Sequence, residues 1–278
     1  MAGSQLARGD EEHRSRVDPS HPADRTHARV LPLEGAFNAR DLGHLPVRGR
    51  RSTRCGLLYR ADSLDWLTPA DRGLLFDEPG VGLGIGTIID LRTRREAGGD
   101  GLSDARLLPD VRVLSIPLIP DEEMATEPFP VGNPSAVAEH YLGYLDGGGR
   151  EARNVLEAIA ESIDSGLPVL FHCAAGRDRT GVVAALVLLL IGVTKQGVVS
   201  DYMESNRFAK ELTQRLSRNP MYRHHERLDT SATKVDRRAI VRFMQLLEDH
   251  YGGARKWAQS VGIPDDTIDA LTKSLVGD

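Results

Sequence analysis

The residues best suited to chemistry lie in one run: His172-Cys173-Ala174-Ala175-Gly176-Arg177-Asp178-Arg179-Thr180-Gly181. A short apolar stretch precedes it and a long apolar stretch follows, so the run reads as a turn between a strand and a helix. Such a turn aims successive backbone N–H groups at one point, and the helix N-terminus adds partial positive charge. A nest of this kind receives tetrahedral oxyanions. Gly176 lets the backbone turn without Cβ crowding. Cys173, beside the helix N-terminus and two Arg, is placed to attack as a thiolate. Arg179 returns to the same centre and grips two phosphate oxygens as a fork. The implied chemistry is displacement at phosphorus: Cys173 attacks, a phosphocysteine forms, and water cleaves it. The amides of Ala174, Ala175, Gly176, Arg177, Asp178 and Arg179 would bind the phosphate, and Arg179 would stabilise the transition state. Thr180 is placed to donate a hydroxyl hydrogen bond to the sulfur. His172 is expected to order the loop rather than to move protons.

A lone cysteine at a strand end is ordinarily an inert core residue. Here His-Cys-x2-Gly-x2-Arg-Thr-Gly fixes six positions, and this chain's own composition makes a chance occurrence on the order of 10⁻⁶. Sulfurtransferases and arsenate reductases also set a Cys in an anion loop, but the Arg-Thr-Gly ending favours phosphate ester hydrolysis. A catalytically silent phosphate-binding module is the non-enzymatic rival, and the intact Cys173, Arg179 and Thr180 argue against it.

The elements that must hold this loop are legible in outline. Strands are expected at Leu57–Arg60, Gly86–Leu91, Val111–Pro117 and Pro168–His172, each short, apolar and bounded by Gly, Pro or charge. Glu151–Ile163 carries Ala152, Val155, Leu156, Ile159 and Ile163 on one helical face. Gly181–Ile191 is apolar all round and reads as a central helix. Periodic apolar residues predict helices over Lys195–Leu216 and Val235–Tyr251, and a last one near Pro264 with Pro in its first turn. Met124–Pro134 reads as a Pro-rich loop. Strands alternating with helices imply an α/β fold with a mostly parallel central sheet flanked by helices.

Composition narrows the class. The 278 residues carry 35 basic and 40 acidic side chains, a net charge of −5. That balance argues against nucleic acid as a partner and against coating of an anionic membrane. The longest apolar run, Val182–Ile191, has ten residues, and a membrane span needs roughly 20, so no integral membrane contact is expected. Two cysteines, Cys55 and Cys173, make neither a disulfide framework nor a cysteine-built zinc site. Cys55 reads as structural, and the two thiols suit a reducing, cytoplasmic setting. Residues 1–29 are polar, hold five Arg and five acids, and read as a disordered leader. No metal and no cofactor is called for, since the loop supplies its own positive charge.

The loop resembles that of the bacterial tyrosine/serine protein phosphatase family, whose form is HCxxGKDRTG and whose best-known members are atypical protein-and-lipid phosphatases of actinobacteria. Other segments are similar too. Asn38-Ala39-Arg40-Asp41-Leu42-Gly43 resembles that family's NxRDLGG, and Tyr59-Arg60-Ala61 its YRS-type strand. Asp90-Leu91-Arg92 resembles its DLR motif, and Asp201-Tyr202-Met203-Glu204-Ser205-Asn206 its DYxLSN helix. The resemblance covers roughly residues 30–278. It implies a protein tyrosine phosphatase-like fold over that whole span, with a helical lid roughly over 195–247. It implies phosphomonoester hydrolysis, foremost of phosphotyrosine with phosphoserine/threonine tolerance, on a phosphorylated protein or a phospholipid. Phosphoinositide hydrolysis is the alternative. The family's Lys after the loop Gly is Arg177 here, which keeps the charge and changes its geometry.

The general acid stays open among three aspartates. Asp178 lies in the loop, and the resemblance favours it. Asp90 lies near a strand end, where active-site groups of open α/β sheets gather; its other reading is an ion pair with Arg92 or Arg40. Asp121 lies before the Pro-rich stretch and otherwise reads as a solvated charge. Asn38, Arg40 and Asp41 are expected to frame the site, the alternative being a capped turn. Tyr222-Arg223-His224-His225-Glu226-Arg227 reads as a solvated charged patch.

Overall fold

The computed structural model describes residues 29–98, 110–119, 129–146, 149–218 and 234–277. The leader up to residue 28, Asp121, the patch 222–227 and residues 124–128 of the Pro-rich stretch lie outside the described residues.

Period-2 alternation builds the main sheet. In β4 (Leu58–Ala61) and β7 (Val169–His172), Leu58, Val169 and Phe171 join one core layer while Tyr59, Ala61 and Leu170 join the other. β5 (Thr87–Asp90) sends Ile89 to the first layer and Ile88 to the second. A strand buried on both faces must be apolar on both, which is why these runs read as continuous rather than alternating. With β1 (Arg40–Asp41) and β6 (Arg112–Ser115), the sheet order is β1-β4-β7-β5-β6. β4, β7, β5 and β6 are parallel and β1 is an antiparallel edge. A second, antiparallel sheet joins β2 (Pro46–Val47), β3 (Arg51–Thr53) and β8 (Val276–Gly277), pieces too short to leave a periodic signal.

Helix α1 (Pro69–Phe76) opens with Thr68 and Asp71 in a capping box and Pro69 in the first turn, a start signal the sequence reading passed over. The Pro-rich stretch ends as a helix begins: α2 spans Pro134–Asp146, with Ser135 and Ala136 N–H groups donating to the Asn133 side chain. α3 (Gly149–Asp164) buries the anticipated face. α4 (Arg179–Leu190) starts inside the loop motif and is buried almost throughout.

The expected single helix over Lys195–Leu216 is broken into α5 (Lys195–Glu204), a 3₁₀ turn (Ser205–Phe208) and α6 (Ala209–Leu216). Tertiary hydrogen bonds account for the break. Ser205 Oγ accepts from Asn38, and the Asn206 side chain clamps the Val235 backbone, accepting from its N–H at 2.7 Å and donating to its carbonyl at 2.9 Å. α7 (Arg237–Tyr251), α8 (Ala254–Ser260) and α9 (Asp265–Leu275) complete the fold. Pro264 is the N-cap of α9 rather than a residue of its first turn, because its ψ of 148° is extended. Among the described residues no helix is long and apolar enough to cross a membrane.

Candidate active site

Ala61, His172 and Asp90 pair in register, so β4, β7 and β5 end level with one another. The chain leaves these ends as Asp62, Cys173 and Leu91, and the site forms where the carboxyl ends of parallel strands gather. Cys173 is 3% exposed. The loop turns at Gly176, whose φ is +62°. A Cβ there would lie 2.3 Å from the Ala61 carbonyl oxygen, so both the conformation and the close approach require glycine.

Four loop carbonyls are tied down from outside. His172 Nδ1 lies 3.3 Å from the Cys173 carbonyl, and since a carbonyl only accepts, that nitrogen carries the proton. Burial holds the His172 pKa below its ordinary value, which suits a neutral ring in this ordering role. The Ser63 N–H donates to the Ala174 carbonyl at 3.1 Å. Asn38 Nδ2 donates to the carbonyls of Ala175 at 3.0 Å and Gly176 at 2.9 Å, and an Arg60 guanidinium N–H donates to Gly176 at 2.6 Å. Among the described residues, none accepts from the N–H groups of Ala174, Ala175 or Gly176.

Arg179 is 7% exposed and its guanidinium meets Glu96 as a fork, two bonds of 2.5 Å. Burial opposes its charge, but the Glu96 carboxylate holds its pKa above the ordinary value. Glu96 also accepts from the Thr93 N–H at 2.8 Å, and Thr93 Oγ1 accepts from the Glu96 N–H at 3.2 Å. The sequence reading missed Glu96. Thr93-x-x-Glu96 matches a capping box, so the local turn was legible, but its partner 83 residues away was not.

Asp178 accepts from Tyr141 Oη at 2.6 Å and from Arg177 Nε at 2.9 Å, and Tyr141 Oη lies 2.8 Å from Tyr202 Oη. Burial, with Asp178 and Tyr202 adding to it, pushes the Tyr141 phenol well above its ordinary range, so it remains a donor. Tyr141 escaped the sequence reading, which named Tyr202 only within the segment that resembles DYxLSN. A cavity of about 190 Å³ opens beside this group, with Phe129, Val137 and Ala239 as apolar wall and Tyr141, Arg177 and Asp178 as polar wall.

Asp90 forms the ion pair with Arg92 that was its other reading. It is 1% exposed, its carboxylate accepts from Arg92 Nε and a terminal N–H, and Arg92 bonds Asp65 beyond. Burial works against its charge, yet Arg92 holds its carboxyl below the usual range, the opposite of what a proton donor needs. Thr180 Oγ1 is buried with no hydrogen-bond partner among the described residues, so the expected bond to the sulfur is not formed. Asp41 does not frame the loop. Its carboxylate caps the N–H groups of Gly43 and Gly56 at 2.7 Å each, the capped-turn alternative.

Arg40 acts through Asn38, donating to its carbonyl and side chain, and pairs with Asp201 at 2.9 Å. Asp201 also meets Arg29 at 2.5 Å and Arg60 at 2.6 Å, and all four side chains are 4% exposed or less. Burial opposes its charge, but the three guanidiniums hold the Asp201 carboxyl far below the ordinary range. Burial and the nearby Arg60 lower Arg40 to about 10. Asp62, its carboxyl pushed up to about 6 by burial, accepts from the Phe37 and Asn38 N–H groups and pairs with Arg215 of α6 at 2.8 Å. Arg215 lies over the Phe37 ring at 4.1 Å, and Leu216 packs on Ala174 and Ala175. Cys55 is exposed and sits in none of these contacts.

The chain is similar over most of its length to known phosphatases. It is 26% identical to "Triple specificity protein phosphatase PtpB" of Mycobacterium tuberculosis, across 89% of this chain and 99% of that protein. It is 30% identical to a "Tyrosine-protein phosphatase" of Nostoc commune, across 78% of this chain and 73% of that one. Pseudomonas aeruginosa TpbA, a solved structure, aligns with 67% of this chain and 87% of its own at 21% identity and a TM-score of 0.32. Residues 31–277 match the sequence pattern of one family from end to end, and the chain belongs to that family, the tyrosine phosphatases.

Proposed function

We propose that the chain is a cysteine-dependent phosphatase that hydrolyses phosphotyrosine in proteins through a phosphocysteine intermediate. The loop geometry carries this reading: a buried Cys173 at a strand end, followed by the N–H groups of Ala174, Ala175 and Gly176, which have no acceptor among the described residues, and by a guanidinium held as a fork. In the first step Cys173 Sγ attacks phosphorus and the S–P bond forms as the ester P–O bond breaks. The amides and Arg179 balance the equatorial oxygens. Asp178 protonates the departing phenolate oxygen, for it lines the cavity where the leaving group would lie. In the second step water attacks phosphorus, its proton passes to Asp178, and sulfur departs as the S–P bond breaks. Tyr141 positions Asp178. Leu216 of α6 packs on Ala174 and Ala175, which supports a helical lid among the described residues of 195–247, and residues 30–278 form the phosphatase domain. Phe129, Val137 and Ala239 offer an aryl ring apolar contact, which supports phosphotyrosine first. Similarity to a relative named for triple specificity supports tolerance of more than one substrate class, phosphoserine/threonine among them.

The test is the Cys173→Ser variant with a phosphotyrosine peptide, run with and without EDTA. Turnover should vanish in the variant while inorganic phosphate still competes for binding, and the wild type should be unaffected by EDTA. Turnover by the variant comparable to wild type would sink the mechanism. Loss of wild-type activity in EDTA would refute the loop as the sole source of positive charge.

A further inference from the structure

We infer that Arg60, together with Asn38, is a positioning residue of the phosphate cradle, holding the loop peptides in the orientation that receives the anion. The inference rests on the phosphatase reading and deepens it. A trans peptide is planar, with its C=O and the next N–H on opposite sides. Tying the Ala175 carbonyl to Asn38 therefore turns the Gly176 N–H to the far side of the loop. Tying the Gly176 carbonyl to Arg60 and Asn38 turns the Arg177 N–H to that same side. The loop cannot make this choice alone. Gly176 sits at φ +62° because it lacks a Cβ, and that freedom lets it adopt either hand about equally. The donors behind the loop select one.

The setting of Arg60 suits this task. Its side chain is fully buried, one terminal nitrogen bonds Asp201 at 2.6 Å and the other bonds the Gly176 carbonyl at 2.6 Å. The planar fork thus fixes the loop relative to α5 through Asp201. Three guanidiniums share the one Asp201 carboxylate. Removing Arg60 leaves Asp201 paired with Arg29 and Arg40, so the change strands no carboxylate. Arg29 provides the internal comparison. It carries the same charge to the same carboxylate, yet its other bond runs to the Asp41 carbonyl and not to the loop.

Arg60→Met, Arg60→Lys, Arg29→Met and Asn38→Asp would each be made in the full chain. Two quantities would be read on protein whose fold is verified by circular dichroism. One is kcat and KM with p-nitrophenyl phosphate. The other is calorimetric binding of inorganic phosphate on the Cys173→Ser background. Arg60→Met is expected to weaken phosphate binding and lower kcat/KM by about 10- to 100-fold, the size of one hydrogen bond to a charged group. Arg60→Lys, which keeps a charged donor, should recover part of both. Arg29→Met should stay within about threefold of wild type. Should Arg60→Met not fold, Asn38→Asp carries the same test, because a carboxylate in place of the amide repels both carbonyls. Equal losses in Arg29→Met and Arg60→Met would overturn the inference in favour of bulk charge. So would normal phosphate binding by folded Arg60→Met, or by Asn38→Asp if Arg60→Met does not fold. Failure of the phosphatase reading looks different: turnover persists in Cys173→Ser, or the wild type has none, while the binding arm still reports on Arg60.

Discussion

Replacing Glu96 with Gln isolates what the buried fork on Arg179 does. The substitution keeps shape and volume and removes the charge. Two bonds of 2.5 Å join the pair, the Glu96 side chain is fully buried, and that of Arg179 is 9% exposed. A Gln offers one acceptor oxygen to two guanidinium N–H groups and turns its own N–H₂ against the second. At least one charge-assisted bond is therefore lost, each worth about 1.5–3 kcal/mol. Breaking a buried pair from one side costs about 3–5 kcal/mol of stability, because the remaining charge is left uncompensated, so a lowered Tm is expected. The kinetic consequence is narrower. Arg179 loses its fixed orientation, which weakens the fork on the equatorial oxygens, but a competing negative charge also leaves the site. Ground-state affinity should change little while kcat falls by about 10- to 100-fold, as for loss of an interaction made chiefly in the transition state. Steady-state kinetics with p-nitrophenyl phosphate, competition by inorganic phosphate and a thermal melt would measure all three. An unchanged kcat in a variant with a lowered Tm would refute the claim that Glu96 pre-orients Arg179.

Two further outcomes are expected. Asp178→Asn should lower kcat by about 10²- to 10⁴-fold on a phosphotyrosine peptide and by less on p-nitrophenyl phosphate, whose leaving group needs less protonation. Equal losses on the two substrates would reject Asp178 as the acid. Gly176→Ala should abolish phosphate binding, since its Cβ would fall 2.3 Å from the Ala61 carbonyl and a non-glycine residue in the left-handed region adds about 1 kcal/mol of strain; near-normal phosphate affinity in a titration would contradict the fixed loop.

The loop was legible because its chemistry is local. Cys173, Gly176 and Arg179 lie within seven residues, and strand and helix propensities on either side place them. The central helix was legible because a segment buried on all sides must be apolar on all sides. The β2–β3–β8 sheet was not, since two- and three-residue strands leave no period to read. The break in Lys195–Leu216 was hidden for a different reason: helical spacing persists through it, and only Ser205 and Asn206, bonding residues far away in sequence, divert the chain.

Sequence by itself determined the strand–turn–helix segment that carries Cys173, Gly176 and Arg179, and the α/β alternation, because each depends on residue type and near-neighbour spacing. Tertiary structure decided which charges serve the loop. It assigned Asp90 to Arg92, Glu96 to Arg179, Tyr141 to Asp178, and Asn38 with Arg60 to the loop carbonyls. A carboxylate or guanidinium looks the same in sequence whether it faces water or a buried partner. Its role follows from desolvation and from the one group it meets, and folding alone brings those together across 83 or 116 residues.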